Sequence, residues 1–237
     1  MRWFITGTDT EVGKSVVTAC LAQAFRAHGT TIAAKPVASG VPDGEVGEDA
    51  ALLAHGAGHP PTCLVSLVPP VSPHRALLDE AQTIRPADLE RWIGELQADF
   101  VLVEGVGGWR VPIQVGEHPI AVTDLARWTQ GPVVVVARDR LGVLNHTLLT
   151  VEAVRRDGFE VVGVVLNQFD SEDSPPANLE DLRMLLDVPV VVLPNLDPTD
   201  PHARQSAGEV LVAGLASPGT ARATVHDQRA HTTEEPS

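Results

Sequence analysis

Gly13-Lys14-Ser15 stands behind the apolar run 2–6 and a short loop, and it sets a turn of backbone amides beside a cation and a hydroxyl. That set suits a polyphosphate. Amides at a helix N-terminus converge on an anion and the positive end of the helix dipole adds to them. Lys14 would reach the terminal phosphates, and the Ser15 hydroxyl would hold Mg²⁺. The usual spacing is G-x-x-x-x-G-K-[ST]; here Gly7 lies one place early and Thr8 fills its slot, so the loop is one residue longer.

Other side chains fall where strands and helices should meet. Glu104 follows FVLV and precedes GVGGW, a carboxylate at the end of a buried strand before glycines that permit close backbone approach. An acid there serves a metal or its water, unless it is a surface carboxylate. Lys35 ends the run TIAAK before PVASG, as a second cation for the same anion or as a solvated strand-end lysine. Asp49 in GEDAALL opens a helix, as an N-terminal cap or as the third oxygen of a Mg²⁺ shell with Ser15 and Glu104. Asn167 after VVGVVL is a base-reading amide or a turn-former. The Leu144 and Asn145 amides start a helix and suit a carboxylate, with Asn145 as a plain N-cap the alternative. His55 and His59 have i, i+4 spacing, but Gly56 and Gly58 argue against a continuous helix and so against a metal pair. Ser72-Pro73-His74 reads as a Pro-rich loop.

The elements that must position these groups alternate. Strands are expected at 2–6, 31–35, 100–104, 132–137, 161–166 and 189–193, all apolar on both faces. Helices are expected at 14–28, 48–55, 86–98, 119–130, 144–157 and 178–186, with Pro86 in a first turn and Asn178 as an N-cap. This predicts an α/β fold: one P-loop-NTPase-like domain over 1–216, with a mostly parallel sheet flanked by helices on both faces and ligands at the carboxyl ends of its strands. From 217 to 237 the apolar rhythm stops, and a disordered tail is expected.

At 237 residues and 43% hydrophobic content the chain can bury one sizeable core. A net charge of −14 argues against nucleic-acid or anionic-membrane partners, which reward clustered Lys and Arg. Two cysteines, Cys20 and Cys63, make no disulfide framework or metal spacing, and both are expected to be buried. The chain enters a strand at once and has no run near the roughly 18 apolar residues of a membrane span. A cytoplasmic protein is expected.

Five segments, GTDTEVGKS at 7–15, KPVASG at 35–40, SPH at 72–74, VEGVGGW at 103–109 and LNH at 144–146, together resemble the dethiobiotin synthetase family in order and spacing. The lengthened phosphate loop is a trait of that family. The resemblance implies an ATP-dependent cyclo-ligase that joins CO2 to 7,8-diaminononanoate, through a carbamate and a carbamic-phosphoric anhydride, to give dethiobiotin, ADP and phosphate. By position it implies Lys14, Lys35, Thr10 and Glu11 as catalytic residues. ATP would be held by Glu11, Val12, Gly13, Lys14, Ser15, Val16 and Asn167, and Mg²⁺ by Ser15, Asp49 and Glu104. Ser39 would bind the diamine. Leu144 and Asn145 would bind its distal carboxylate across a homodimer interface. Ser15 replaces the family's commoner Thr and Val106 a frequent Ala, and the match loosens beyond Asn167.

Two other readings compete. A cobyrinate-type amidotransferase needs a glutaminase domain for which this length leaves no room. A non-enzymatic ATPase switch of the partition or metallochaperone type would want a basic or amphipathic partner-binding segment, and KPVASG and GVGGW suit a small substrate instead.

Overall fold

The structure is a computed structural model, described for residues 1–168 and 177–216. The expected tail and most of the loosely matched stretch after Asn167 lie outside those residues. In chain order the elements are β1 (Arg2–Gly7), α1 (Lys14–Arg26), β2 (Thr31–Ser39), α2 (Glu48–Ala57), β3 (Cys63–Leu67), α3 (Pro73–Asp79), α4 (Pro86–Glu95), β4 (Phe100–Gly108), β5 (Pro112–Gln114), β6 (Ile120–Ala121), α5 (Val122–Thr129), β7 (Val133–Arg138), α6 (Val143–Arg156), β8 (Val161–Asn167), α7 (Asn178–Leu185), β9 (Val190–Leu193) and α8 (Pro201–Ala216).

Seven strands form one sheet in the order β3-β2-β4-β1-β7-β8-β9, and every neighbouring pair is parallel. Successive side chains of each inner strand point to opposite faces, and both faces are covered. Trp3, Ile5, Leu102, Val134 and Val136 pack beneath α1, α2 and α8 with Leu21, Leu53 and Leu211. Phe4, Val101, Val103, Val133 and Val135 pack beneath α3 to α7 with Leu77, Leu89, Ile93, Leu125, Val151 and Leu182. That double burial is why the strands read as unbroken apolar runs. From β1 the chain builds outward first through β2 and β3, then through β7, β8 and β9. The crevice at the carboxyl end of β1 is therefore a topological switch point, where ligands of such sheets bind.

Several boundaries differ from the sequence reading. β3 and α3 form where a Pro-rich loop was expected, with Pro73 of the SPH segment at the first position of α3. β2 continues past Lys35 to Ser39. Its Pro36 is tolerated because Lys35 N–H bonds Thr62 O on the β3 side, so the missing N–H faces β4, whose pairing with β2 stops at Ala34. β4 likewise continues past Glu104 to Gly108, with an irregularity opposite Ile5 to Gly7. Residues 119–130 split into β6 and α5. α2 runs through Gly56, where a Cβ would lie 2.4 Å from Ala19 O, so the glycine lets α2 approach α1. α7 begins at Asn178 with Ala177 as its N-cap, and the Asn178 amide donates to Asp139 Oδ1 at 2.7 Å. Pro86 opens α4 as expected. Cys20 is buried and its thiol is pushed up to about 12 by burial, whereas Cys63 is only half-buried. No helix among the described residues is long and apolar enough to cross a membrane.

Candidate active site

The first turn of α1 and the loop before it form the floor of the site. Gly13 caps the helix with φ 91° and ψ 24°, in the left-handed region that favours glycine. The Thr8 amide bonds Val136 O and the Thr10 amide bonds Asp9 Oδ1, which fix the loop between β1 and α1. Glu11, at φ 56°, turns the chain without a glycine. Asn167, at the end of β8, donates from Nδ2 to Val12 O at 3.1 Å and braces the loop from below.

Lys14 arches back over this loop, and its Nζ donates to Asp9 O at 2.9 Å. Burial lowers its pKa to about 8 and the Lys35 charge adds to that, while Glu104, Asp49 and Asp9 oppose. A bound polyphosphate would raise the value again. Nucleotide binding between pH 8 and 9 is therefore expected to take up a proton, and affinity is expected to fall as pH rises through that range. Calorimetry of ADP binding in two buffers of different ionisation enthalpy measures the uptake; identical apparent enthalpies would contradict it.

Beside Lys14 lies an ionic cluster, buried at Lys35 and Glu104 and half-exposed at Asp49. Ser15 Oγ is 2.7 Å from Asp49 Oδ1 and 2.8 Å from Glu104 Oε1, and its one proton can serve only one of them at a time. Lys35 Nζ donates to Asp49 Oδ2 at 2.7 Å and to Glu104 Oε1 at 2.6 Å. Glu104 is 0% exposed and Lys35 3%. Burial alone would lower the Lys35 pKa, but the Glu104 and Asp49 charges outweigh it and the net shift is upward. Burial would raise Asp49, and Lys35 together with the Ser15 hydroxyl reverses that to a net lowering. Two carboxylate oxygens lie within hydrogen-bond distance of the Ser15 hydroxyl, a donor set suited to a cation that keeps waters and phosphate oxygens for the rest of its shell, as Mg²⁺ does.

This geometry removes four of the alternatives. Lys35 is no solvated strand-end lysine, and Glu104 no surface carboxylate; both lie within strands and face each other across the β2–β4 divergence. Asp49 is not the N-cap of α2, since Gly47 holds that position and the carboxylate turns to Ser15 and Lys35. Asn145 is not an N-cap either. Gly142 caps α6, so the Leu144 and Asn145 amides lie in its first turn, where amides lack intrahelical acceptors.

A cavity of about 440 Å³ opens above the cluster. It is lined by Thr10, Glu11, Gly13, Lys14, Ser15, Val16, Lys35, Ser39, Asp49 and Asn167 of the expected residues. The Val12 side chain instead packs in the core under α1, and Leu144 and Asn145 are not part of this cavity's wall. Two contributors went unread in the sequence, Thr18 and the wall beyond β9, and a third, the GVGGW run, was read only in part, as permitting close backbone approach. Thr18, fully buried, has its hydroxyl 2.8 Å from Glu104 Oε2 and orients that carboxylate; its signal was a position one turn after Lys14 on the same helix face. Val106 and Gly107 form one side, and Gly107 at φ 61° lets β4 pass over Thr10. Leu193, Pro194, Asn195, Leu196 and Pro198 form the far wall, where the signal was simply the carboxyl end of a parallel strand.

The comparisons with known proteins bear on the family. The model of a family described as "AAA domain" matches residues 1–203. An ATP-dependent dethiobiotin synthetase BioD from Pseudomonas aeruginosa (strain LESB58) is 39% identical over 218 residues, covering 85% of this chain and 92% of that protein. One of the same name from Aromatoleum aromaticum (strain DSM 19018 / LMG 30748 / EbN1) is 40% identical over 214 residues, covering 84% and 92%. Among solved structures, a cobyrinic acid a,c-diamide synthase from Mycobacterium smegmatis with bound ATP analog and magnesium superposes with a TM-score of 0.51 at 16% identity, over 89% of this chain and 93% of that one, a likeness of fold alone. Identity near two residues in five across nearly the whole of the curated relatives leaves one assignment: the chain belongs to the family of ATP-dependent dethiobiotin synthetases.

Proposed function

We propose that this cavity joins CO2 to 7,8-diaminononanoate and closes the ring to dethiobiotin, converting ATP to ADP and phosphate. The observation that carries the proposal is the pairing of two buried cations, Lys14 and Lys35, in the wall of one cavity at the end of a phosphate-binding loop. A carbamate and a triphosphate repel each other, so a catalyst must hold both and neutralise charge as the phosphoryl group moves.

One substrate amine adds to CO2 and loses a proton, giving a carbamate. A carbamate oxygen attacks the γ-phosphorus and ADP leaves. The second amine then attacks the carbamoyl carbon and phosphate departs, carrying the attacking oxygen with it. Lys14 lies over the loop and takes the β- and γ-oxygens. Lys35, fixed by Asp49 and Glu104, faces the carbamate and the transferring group. Thr10 and Glu11 border the junction of the two substrates, and Ser39 the diamine. Ser15, Asp49 and Glu104 would hold Mg²⁺, whose charge offsets that of the phosphate oxygens. Asn167 donates one amide hydrogen to Val12 O, which leaves Oδ1 as an acceptor suited to the exocyclic amino group of adenine.

The same proposal includes a homodimer. The Leu144 and Asn145 amides lie outside the cavity of their own chain, and Leu141 beside them is 81% exposed, as Leu149 is in large part. Covering those side chains with a second copy would bring amides of one protomer to the substrate carboxylate of the other. A single ligase domain over 1–216 with a tail from 217 to 237, and a cytoplasmic site where ATP is available, complete the reading.

The test incubates purified protein with diaminononanoate, CO2 and Mg·ATP and follows phosphate release with mass detection of the cyclic urea. Phosphate release that depends on the diamine, with dethiobiotin formed in equal amount by a species that sediments as a dimer, is expected. ATP turnover indifferent to the diamine, with no cyclic urea, would contradict the proposed reaction, and a sedimenting monomer the dimer.

A further inference from the structure

The far wall of the cavity, residues 193–198, has no regular structure beyond the end of β9, yet it lies beside Asn167, since Leu193 and Asn167 are register partners on β9 and β8. Something must hold that wall at a fixed distance from the phosphate loop. A flexible wall would have to be ordered on each binding event, at a cost in affinity.

A buried arginine supplies the connection. Arg204, in the first turn of α8, is 5% exposed. Its Nη1 donates to Pro198 O, the carbonyl at the end of the wall, and its Nε donates to Gln23 Oε1 at 2.8 Å. The Gln23 amide in turn donates to Pro201 O at the start of α8. Gln23 sits on α1, the helix whose first turn carries Lys14 and Ser15. α8 packs on α1 backbone to backbone, since at Gly208 a Cβ would lie 2.1 Å from Cys20 O. Within the wall, Asp197 Oδ1 accepts from the Thr199 amide and hydroxyl at 2.8 and 2.7 Å, so the loop keeps its local shape. The Arg204 fork adds a directed polar link from that shape to α1, beside the apolar packing of Leu193 and Leu196 in the cluster that contains Val17 and Leu21.

We infer that Arg204, braced by Gln23, is a positioning residue that sets the distance between the nucleobase wall and the phosphate loop, and thereby sets nucleotide affinity and base discrimination. The inference rests on the proposed reading that the base lies against Asn167 and this wall. An arginine fork suits the task because its planar donors reach two acceptors in fixed directions, which a lysine ammonium cannot reproduce.

The test compares binding of ADP with binding of inorganic triphosphate, which has no base. For Arg204→Lys the Kd of ADP is expected to rise about tenfold while that of inorganic triphosphate stays within about twofold. The KM for ATP should rise with it, and the preference for ATP over CTP should narrow, with the KM for the diamine unchanged. Gln23→Ala keeps the Arg204 bond to Pro198 O and should give a smaller change of the same kind, which covers the case of an unstable Arg204 variant. Equal losses for ADP and inorganic triphosphate, or no change in either, would overturn the inference. Failure of the underlying reading looks different: wild-type protein would then bind ADP no more tightly than a base-free polyphosphate.

Discussion

Lys35→Gln is expected to lower kcat by about 10²–10³ while the Kd of ADP changes by less than about threefold. Among the described residues Lys35 Nζ bonds to Asp49 and Glu104, at 2.7 and 2.6 Å, and to no atom of the phosphate loop. In the proposed reaction, ground-state nucleotide binding draws on loop amides and Lys14, whereas Lys35 acts on charge that develops as the γ-phosphoryl group meets the carbamate, so its removal belongs in kcat. The same substitution leaves the fully buried Glu104 carboxylate without its cation, beside an Asp49 side chain that is 48% exposed. Breaking a buried pair such as Lys35–Glu104 costs about 3–5 kcal/mol, which a melting curve would detect.

The pH dependence of that loss has a definite sign. The Lys35 pKa is raised by its partners, so its contribution is fully present below the ordinary lysine range and is lost only as pH rises through the folded-state value. The Asp49 pKa is depressed, so its contribution is present above the ordinary carboxylate range and is lost as pH falls through the folded-state value. The melting difference between wild type and Lys35→Gln should thus be widest near neutrality and shrink toward acid. Wild-type turnover in a destabilised Lys35→Gln protein would reduce Lys35 to a structural cation.

Gly13→Ala is expected to be the most damaging single-methyl change for nucleotide binding. The added Cβ would lie 2.0 Å from Asn167 Nδ2 and 3.1 Å from its Cγ, at a residue with φ 91°. Asn167 cannot simply swing away, since it is buried and its amide holds Val12 O. Relief must come from the loop whose amides face the phosphates. Backbone strain of this kind costs about 1–3 kcal/mol before the steric conflict is counted, so the Kd of ADP should rise by about 10² or more. Gly13→Ala/Asn167→Ala removes the clash and keeps the backbone strain, and should recover only part of the affinity. Wild-type ADP binding by Gly13→Ala, measured by titration calorimetry, would show that the loop amides do not hold the phosphates.

The sheet was legible because its inner strands are buried on both faces and read as continuous β-branched runs, such as 132–137 and 161–166. β3 was not. It is a short edge strand with Leu64 and Ser66 exposed, and prolines flank it on both sides. α8 was missed for a different reason: its packed side uses Ala207 and Gly208 as well as Leu211 and Leu215, because it lies against α1 at backbone distance, and small residues give little periodic signal. In the site, residue type and position near strand ends were enough to single out Lys14, Ser15, Lys35, Asp49 and Glu104. What spacing could not reveal was direction: that Lys35 is held by both carboxylates, that the Asn167 amide braces the loop, and that Thr18 orients Glu104 from beneath. Those facts depend on strand register and helix rotation, which no local pattern encodes.

The central claim is that a carbamate oxygen attacks the γ-phosphate inside this cavity, and the fate of that oxygen tests it most directly. A single turnover is run with diaminononanoate, Mg·ATP and ¹⁸O-labelled CO2 in unlabelled water, and the phosphate is analysed by mass spectrometry. The account predicts one ¹⁸O atom transferred from CO2 to each phosphate released with dethiobiotin, allowing for the label lost to water. Phosphate carrying oxygen from water alone would contradict it.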